Sequence, residues 1–367
     1  MSRLWRVSVG VKPTDFDEGR VVDDEIEMTD EERRSVSLTS RLHRRGVVNG
    51  SIVLPAAPAM VADYVKVCDD TFRAIGVEFS EDQLHHLQGI LVEQLAIAYA
   101  ASPRSEIVIT YDKPVGSQIN YFVKAQWASI DAAYGQWVAT REPPYFGTEP
   151  DAFAVSYTAD VEDPSSFPIL DVGAGTGRNA LAFARRGFPV DAVELSPKFV
   201  DILRREVKRE KLDVRVVAID VFAASDELRR DYQLLLVSEV VSDFRSMHQL
   251  REVFALASRC LAPGGLLMFN TFVAKDDYLP DDAALQLAQQ CYSAIFTRSD
   301  LAAASAGLPL VSEREEPVFA YEQANLPAEA WPPTKWYEAW VRGQDVFDLE
   351  PEESPIEFRW FAYRRST

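Results

Sequence analysis

Two kinds of hydrophobic spacing divide the chain. Over residues 58–101 apolar side chains recur three and four apart (Met60, Val61, Tyr64, Val67, then Leu84, Leu87, Leu91, Leu95), which predicts two amphipathic helices. Ser80, followed by Asp82 and Gln83, is a start signal for the second. The runs 106–111 and 120–124 are strand-like, and Pro114, Gly116 and Ser117 between them predict a hairpin with a longer loop. A third helix is expected over 129–140, ended by Glu142-Pro143-Pro144. From Phe167 onward short β-branched or leucine-rich runs alternate with helices of about ten to fifteen residues, the pattern of a parallel sheet with crossovers. Strands are expected at 169–172, 190–194, 215–219, 232–237 and 266–270. Their nearly unbroken hydrophobicity suits a sheet covered on both faces. Helices near 283–295 and 299–306 precede two further strands, 313–321 and 356–364, read as an antiparallel edge pair.

These elements divide into an α+β cap module, residues 1–150, and an α/β sheet domain, residues 151–367. Within the second, residues 325–355 interrupt what should be a hairpin, with Trp331, Trp336, Tyr337, Trp340 and Phe347 among several prolines. A loop this long is functional or disordered, and its aromatic density argues against disorder. It is expected to form a lid over a binding site; a homodimer contact or packing against the amino-terminal helices is the alternative. Residues 11–34 are strongly acidic and are expected to cover a surface or to move.

Charge and composition narrow the partners. The formal net charge of −19 would repel a phosphate backbone, which argues against nucleic acid. Residues 41–45 form a small basic cluster, and the basic residues of 204–211 interleave with Glu206 and Glu210 as on a solvated helix face. No apolar run reaches the roughly eighteen residues of a membrane span. Met1 to Gly10 lacks a secretory pattern, and Cys68, Cys260 and Cys291 are odd in number and far apart, so a reducing cytoplasm is expected. His43, His85, His86 and His248 have no metal-ligand spacing with Cys or carboxylate partners, and no metal is expected.

The chemistry concentrates after the first sheet strand, where Asp171-Val172 runs into Gly173-Ala174-Gly175-Thr176-Gly177 and then into a helix opened by Arg178 and Asn179. Glycines let backbone approach a ligand, and the helix start offers unpaired N–H groups to an acceptor. A dinucleotide fingerprint would need its third glycine at Arg178, one residue later, which argues against NAD or FAD. The second strand ends at Glu194, placed to accept two ribose hydroxyls. The third ends at Asp220, placed to meet an adenine amino group, with Val221 against the ring. All these positions lie at the carboxyl ends of the strands, where open α/β sheets bind ligands.

The segments Ile-Leu-Asp-Val-Gly-Ala-Gly-Thr-Gly-Arg-Asn-Ala-Leu (169–181), Ala-Val-Glu-Leu-Ser (192–196) and Leu-Ala-Pro-Gly-Gly-Leu-Leu (261–267) resemble class I S-adenosylmethionine-dependent methyltransferases. The Gly-Arg-Asn-x-Leu continuation and Arg-Arg-Gly-Phe-Pro-Val after it are most similar to the tellurite-resistance-type branch. The resemblance covers residues 160–322 and 355–365 and leaves 1–150 unmatched. It implies a seven-stranded, mostly parallel Rossmann-like sheet, S-adenosylmethionine as cofactor and S-adenosylhomocysteine as product. It also implies cofactor contacts from Gly173, Gly175, Glu194 and Asp220.

Ala174, Gly177, Leu195 and Ser238 join these as expected cofactor contacts. Asp171 is expected mainly as a support, and Arg178 or Asn179 as a contact to cofactor carboxylate or acceptor. The family's amino-methyltransferase signature after the fourth strand is absent; Ser-Glu-Val-Val-Ser-Asp-Phe (238–244) stands there. Glu239 and Asp243 are the acid–base candidates, needed only if the acceptor arrives protonated. Tyr145, Phe146, Trp331 and Trp336 are the candidate acceptor-side residues. The reading is methyl transfer to an O or N nucleophile of a small molecule or peptide side chain. The rivals are a nicotinamide oxidoreductase and a non-catalytic S-adenosylmethionine sensor.

Overall fold

The computed structural model describes residues 29–102, 104–114, 118–127, 130–223, 227–275 and 277–366. The amino-terminal module begins with helix α1 (Asp30–Arg45), started by a reciprocal capping box between Thr29 and Glu32. Strand β1 (Val48–Pro55), helices α2 (Val61–Ala74) and α3 (Glu81–Ala101), strands β2 (Ser105–Lys113) and β3 (Asn120–Trp127) and helix α4 (Ile130–Ala139) follow. The start of α3 is where the sequence places it: Ser80 and Gln83 cap each other. The three strands form an antiparallel sheet in the order β1-β2-β3. Phe72 of α2 and Leu87, Leu91 and Leu95 of α3 pack with Ile107 and Ile109 of β2, all fully buried.

The periodicity did not announce β1, because Asn49, Gly50 and Ser51 interrupt its alternation. Residues 30–34 of the acidic stretch belong to α1, and its part up to residue 28 lies outside the described residues. Gly116, Ser117 and the expected helix start at Ser129 also lie outside them. No helix among the described residues is long and apolar enough to cross a membrane.

The second part contains α5 (Ala152–Thr158), β4 (Ile169–Val172), α6 (Arg178–Arg185), β5 (Val190–Val193), α7 (Pro197–Glu210), β6 (Val214–Val217), β7 (Tyr232–Val237), α8 (Met247–Cys260) and β8 (Leu261–Ala274). Then come α9 (Asp282–Gln290), β9 (Ile295–Phe296), α10 (Arg298–Ser305), β10 (Leu310–Pro317), α11 (Val318–Asn325), α12 (Tyr337–Val341) and β11 (Ile356–Arg365). The sheet order is β10-β11-β8-β7-β4-β5-β6, with the short β9 paired to β8, so the sheet has eight strands and not seven. Strands β4 to β8 run parallel; β11 is antiparallel to both neighbours. Every residue of β4 and β5 is buried, as expected for strands covered on both faces. The chain reverses its direction of progress across the sheet between β4 and β7, which opens a crevice after β4.

The expected antiparallel pair is found at one end of the sheet: β11, which buries Phe358, Trp360, Phe361 and Ala362, lies between β8 and β10, and β10 is the outermost strand at that end. Glu313, Glu315 and Glu316 of β10 tolerate that position, and charge on an edge strand disfavours pairing with another chain. The strand expected to reach 321 stops at Pro317; residues 318–321 are helical.

The two parts are tied directly. Gln286 of α9 accepts from the Ala59 N–H at 2.8 Å, and Gln289 accepts from the Tyr99 hydroxyl at 3.1 Å. Arg245 stacks 4.4 Å over the Tyr99 ring and donates to the Tyr99 carbonyl.

Candidate active site

The glycine turn after β4 is pinned by backbone hydrogen bonds: the N–H groups of Gly173 and Ala174 donate to the Val193 carbonyl at 2.8 and 3.1 Å, and Gly177 donates to Ala174 at 2.8 Å. Gly173 has φ +70°, and a Cβ there would sit 2.2 Å from Val240 Cγ2, so backbone conformation and crowding both demand glycine. Gly177, φ +95°, is the N-cap of α6, and a Cβ would lie 2.5 Å from Leu203 Cδ1. Gly177 therefore serves helix packing. It does not line the cavity as Gly173 and Gly175 do.

That cavity, about 450 Å³, opens at the carboxyl ends of the strands. Gly173, Ala174, Gly175, Leu195, Val221 and Ser238 line it. So do Asp171, Glu194 and Asp220. Glu194 is buried, its two oxygens accepting from the N–H groups of Gly175 (2.8 Å) and Ser196 (2.7 Å). Burial raises its pKa against the pull of those bonds. Each carboxylate oxygen keeps a lone pair for a further donor. Asp220 is exposed at the rim, one oxygen accepting from the Phe222 N–H at 3.0 Å.

Asp171 supports the turn from below. Its carboxyl accepts from the Ala180 N–H in the first turn of α6, while Oδ2 is buried with no partner. Burial pushes its pKa up to about 7.

Arg178 and Asn179 are engaged within the protein. Arg178 pairs with Asp151 (2.6 Å) and Glu239 (2.8 Å), with its side chain only 8% exposed. Asn179 donates to Asp151 Oδ2 at 2.8 Å and accepts from the Asp151 N–H at 2.9 Å. Glu322 of α11 completes the cluster: it accepts from the N–H groups of Ala152 and Phe153 at the start of α5 and from Trp360 Nε1 at 2.9 Å. Burial pushes both Glu239 and Glu322 upward, opposed at each by Arg178. Tyr337 from the insertion is buried beside them, its phenol held well above its ordinary pKa by burial and these charges.

Across the cavity, Arg104, Tyr134, Trp137, Arg141 and Phe146 of the amino-terminal part join residues of the second part in the wall. Asp243 accepts from the Tyr134 hydroxyl at 3.1 Å and pairs with Arg104 at 3.0 Å. The charge of Asp243, then burial, raises the Tyr134 pKa far enough to keep it a proton donor. Phe146 stacks on Trp137 at 5.1 Å and lies against Gly175; Trp336 meets Trp137 edge-on at 6.5 Å. Tyr145 packs behind Trp137, and Trp331 packs on Phe319 and Tyr337, so neither lines the cavity as the sequence reading had them do. The insertion contributes Trp336, Trp340 and Asp345 to the wall, and Trp340 Nε1 donates to the Tyr292 carbonyl at 3.1 Å.

Sequence reasoning missed Arg104, Tyr134, Trp137, Arg141 and Tyr292. A signal existed for three of them: Tyr134, Trp137 and Arg141 follow one another at helical spacing along α4 and its end.

Comparison with known proteins fits this geometry. Residues 169–265 match a methyltransferase domain. This methyltransferase segment holds the glycine turn, Glu194, Asp220, Glu239 and Asp243. A stretch of 109 residues is 33% identical to Hemagglutinin 1 of Eikenella corrodens, covering 30% of this chain and 35% of that protein. Another, of 105 residues, is 30% identical to demethylmenaquinone methyltransferase of Tropheryma whipplei (strain Twist), covering 28% and 41%. The chain thus spans well under half the length of the curated relatives it matches. Geranyl diphosphate C-methyltransferase from Streptomyces coelicolor A3(2), solved with Mg2+, geranyl diphosphate and S-adenosyl-L-homocysteine, aligns with a TM-score of 0.47 at 17% identity, over 58% of this chain and 79% of that one.

Proposed function

We propose that the chain transfers a methyl group from S-adenosylmethionine to an O or N nucleophile of a small molecule. The observation that carries this is the convergence of the glycine turn, Glu194 and Asp220 on one cavity within the segment that matches a methyltransferase domain. S-adenosylmethionine is the cofactor; the turn's backbone cradles its methionine end, Glu194 its ribose and Asp220 with Val221 its adenine. Enclosure by Phe146, Trp137 and Trp336 favours a small acceptor over a folded macromolecule. These walls exclude water, which strengthens in-line alignment of nucleophile, methyl carbon and sulfonium.

Glu194→Ala should weaken S-adenosylhomocysteine binding by about 1–3 kcal/mol, the cost of losing hydrogen bonds to a charged group. Calorimetry that finds the same affinity in both proteins would remove the ribose role.

Glu239 and Asp243 both line the cavity and each is paired with an arginine, Arg178 or Arg104; for a protonated acceptor Asp243, the more exposed of the two, is the base we favour. Asp243→Asn keeps the hydrogen bond from Tyr134 but loses the basic oxygen. Methyl transfer to such an acceptor should fall by about a hundredfold or more while S-adenosylhomocysteine affinity holds. Normal turnover in the variant is the contrary result.

A further inference from the structure

In a chain with net charge −19, the acceptor side of the cavity is locally cationic. Arg104, Arg141 and Arg245 all reach its wall. Arg245 is engaged by the Tyr99 carbonyl. Arg104 gives one nitrogen to Asp243 at 3.0 Å, and its Nε is buried out of reach of the cavity. Arg141 lies 4.4 Å over the Trp137 ring and has no carboxylate partner among the described residues. The Arg104 guanidinium sits 4.0 Å above the Tyr292 ring, and Arg104, Arg141 and Tyr292 line the same cavity. Two guanidinium groups, of which Arg141 has no carboxylate partner among the described residues, thus line one cavity with Trp137 and Tyr292. A guanidinium fork matches a planar oxyanion, and a stacked arginine has already given up part of its hydration.

Resting on the methyltransferase reading above, we propose that the methyl acceptor is a planar aromatic monocarboxylic acid, its carboxylate held by Arg141 and Arg104 and its ring between Trp137, Tyr292 and Trp336. With Phe146 stacked on Trp137 and Arg141 over its ring, Trp137 offers the acceptor its edge. A monoanion fits better than a dianion because Asp243 and Asp345 share the wall and would repel a second negative charge.

The test is calorimetry on the full chain loaded with S-adenosylhomocysteine, titrated with 4-hydroxybenzoate, 4-hydroxybenzamide and phenyl phosphate. The acid should bind at least tenfold more tightly than the isosteric amide and more tightly than the phosphate. Arg141→Gln should shrink the acid-over-amide preference to less than threefold while leaving S-adenosylhomocysteine affinity unchanged. Equal binding of acid and amide, no binding of either, or an unchanged preference in Arg141→Gln would overturn the proposal. Tighter binding of phenyl phosphate would overturn the monoanion assignment. S-adenosylhomocysteine binding is measured first on the same sample, and its failure would instead remove the methyltransferase reading itself.

Discussion

Replacing Arg178 by methionine should lower the folding stability by about 3–5 kcal/mol, the range for removing one partner of a buried ion pair. The guanidinium touches Asp151 and Glu239 and sits in a space where Glu322 and Asp171 are also buried. Without it, several carboxyl groups face one another with no compensating cation, and burial already disfavours their charged forms. Methionine fills similar volume, so the loss reports charge more than packing. Urea unfolding at pH 8 should show a lower midpoint with an unchanged slope. A midpoint within error of the parent would mean the cluster is not what joins α5, α6 and α11.

Asp171→Asn should change how stability depends on pH. The native carboxyl titrates at about 7, against an ordinary value of 3.8. A group whose folded pKa is raised contributes stability that is fully present below the unfolded value and is lost as the pH climbs through the folded one. The parent therefore loses stability relative to the variant between about pH 4 and 7, by at most about 1.4 kcal/mol per pH unit, or about 4 kcal/mol over the window. Glu322 and Glu239 are raised in the same direction, so only the difference between the two proteins isolates Asp171. Parallel stability curves from pH 4.5 to 8 would show that Asp171 is not a buried, strained carboxylate.

The glycine turn and the carboxylates after β5 and β6 were legible because each depends on local chemistry. A turn that needs positive φ selects glycine, and a fully buried strand selects aliphatic residues, whatever lies elsewhere in the chain. The capping box that starts α3 was visible for the same reason. Three features were not legible, and all depend on distant partners. The place of β11 between β8 and β10 is decided by the burial of Phe358 and Trp360, which alternation alone does not distinguish from an edge strand. The joint use of Asp151, Arg178, Glu239 and Glu322 spans four segments, and only that of Arg178 carries a motif, which says nothing of its partners. Tyr134, Trp137 and Arg141 share helical spacing, but nothing local to α4 says that this face meets the cavity.

Taken alone, the sequence determined the alternation of strands and helices, the glycine turn and the side chains at successive strand ends, because those follow from backbone geometry and short-range hydrogen bonding. Only the tertiary structure decided that Gly177 packs against Leu203, that Arg178 is spent on Asp151 and Glu239, and that Arg104, Tyr134, Trp137, Arg141 and Phe146 of the amino-terminal part line the same cavity as the glycine turn. The physical reason is burial. Whether a charged or aromatic side chain is solvated, paired or stacked depends on which remote segments exclude water from it, and that exclusion exists only once the two parts of the chain have packed together.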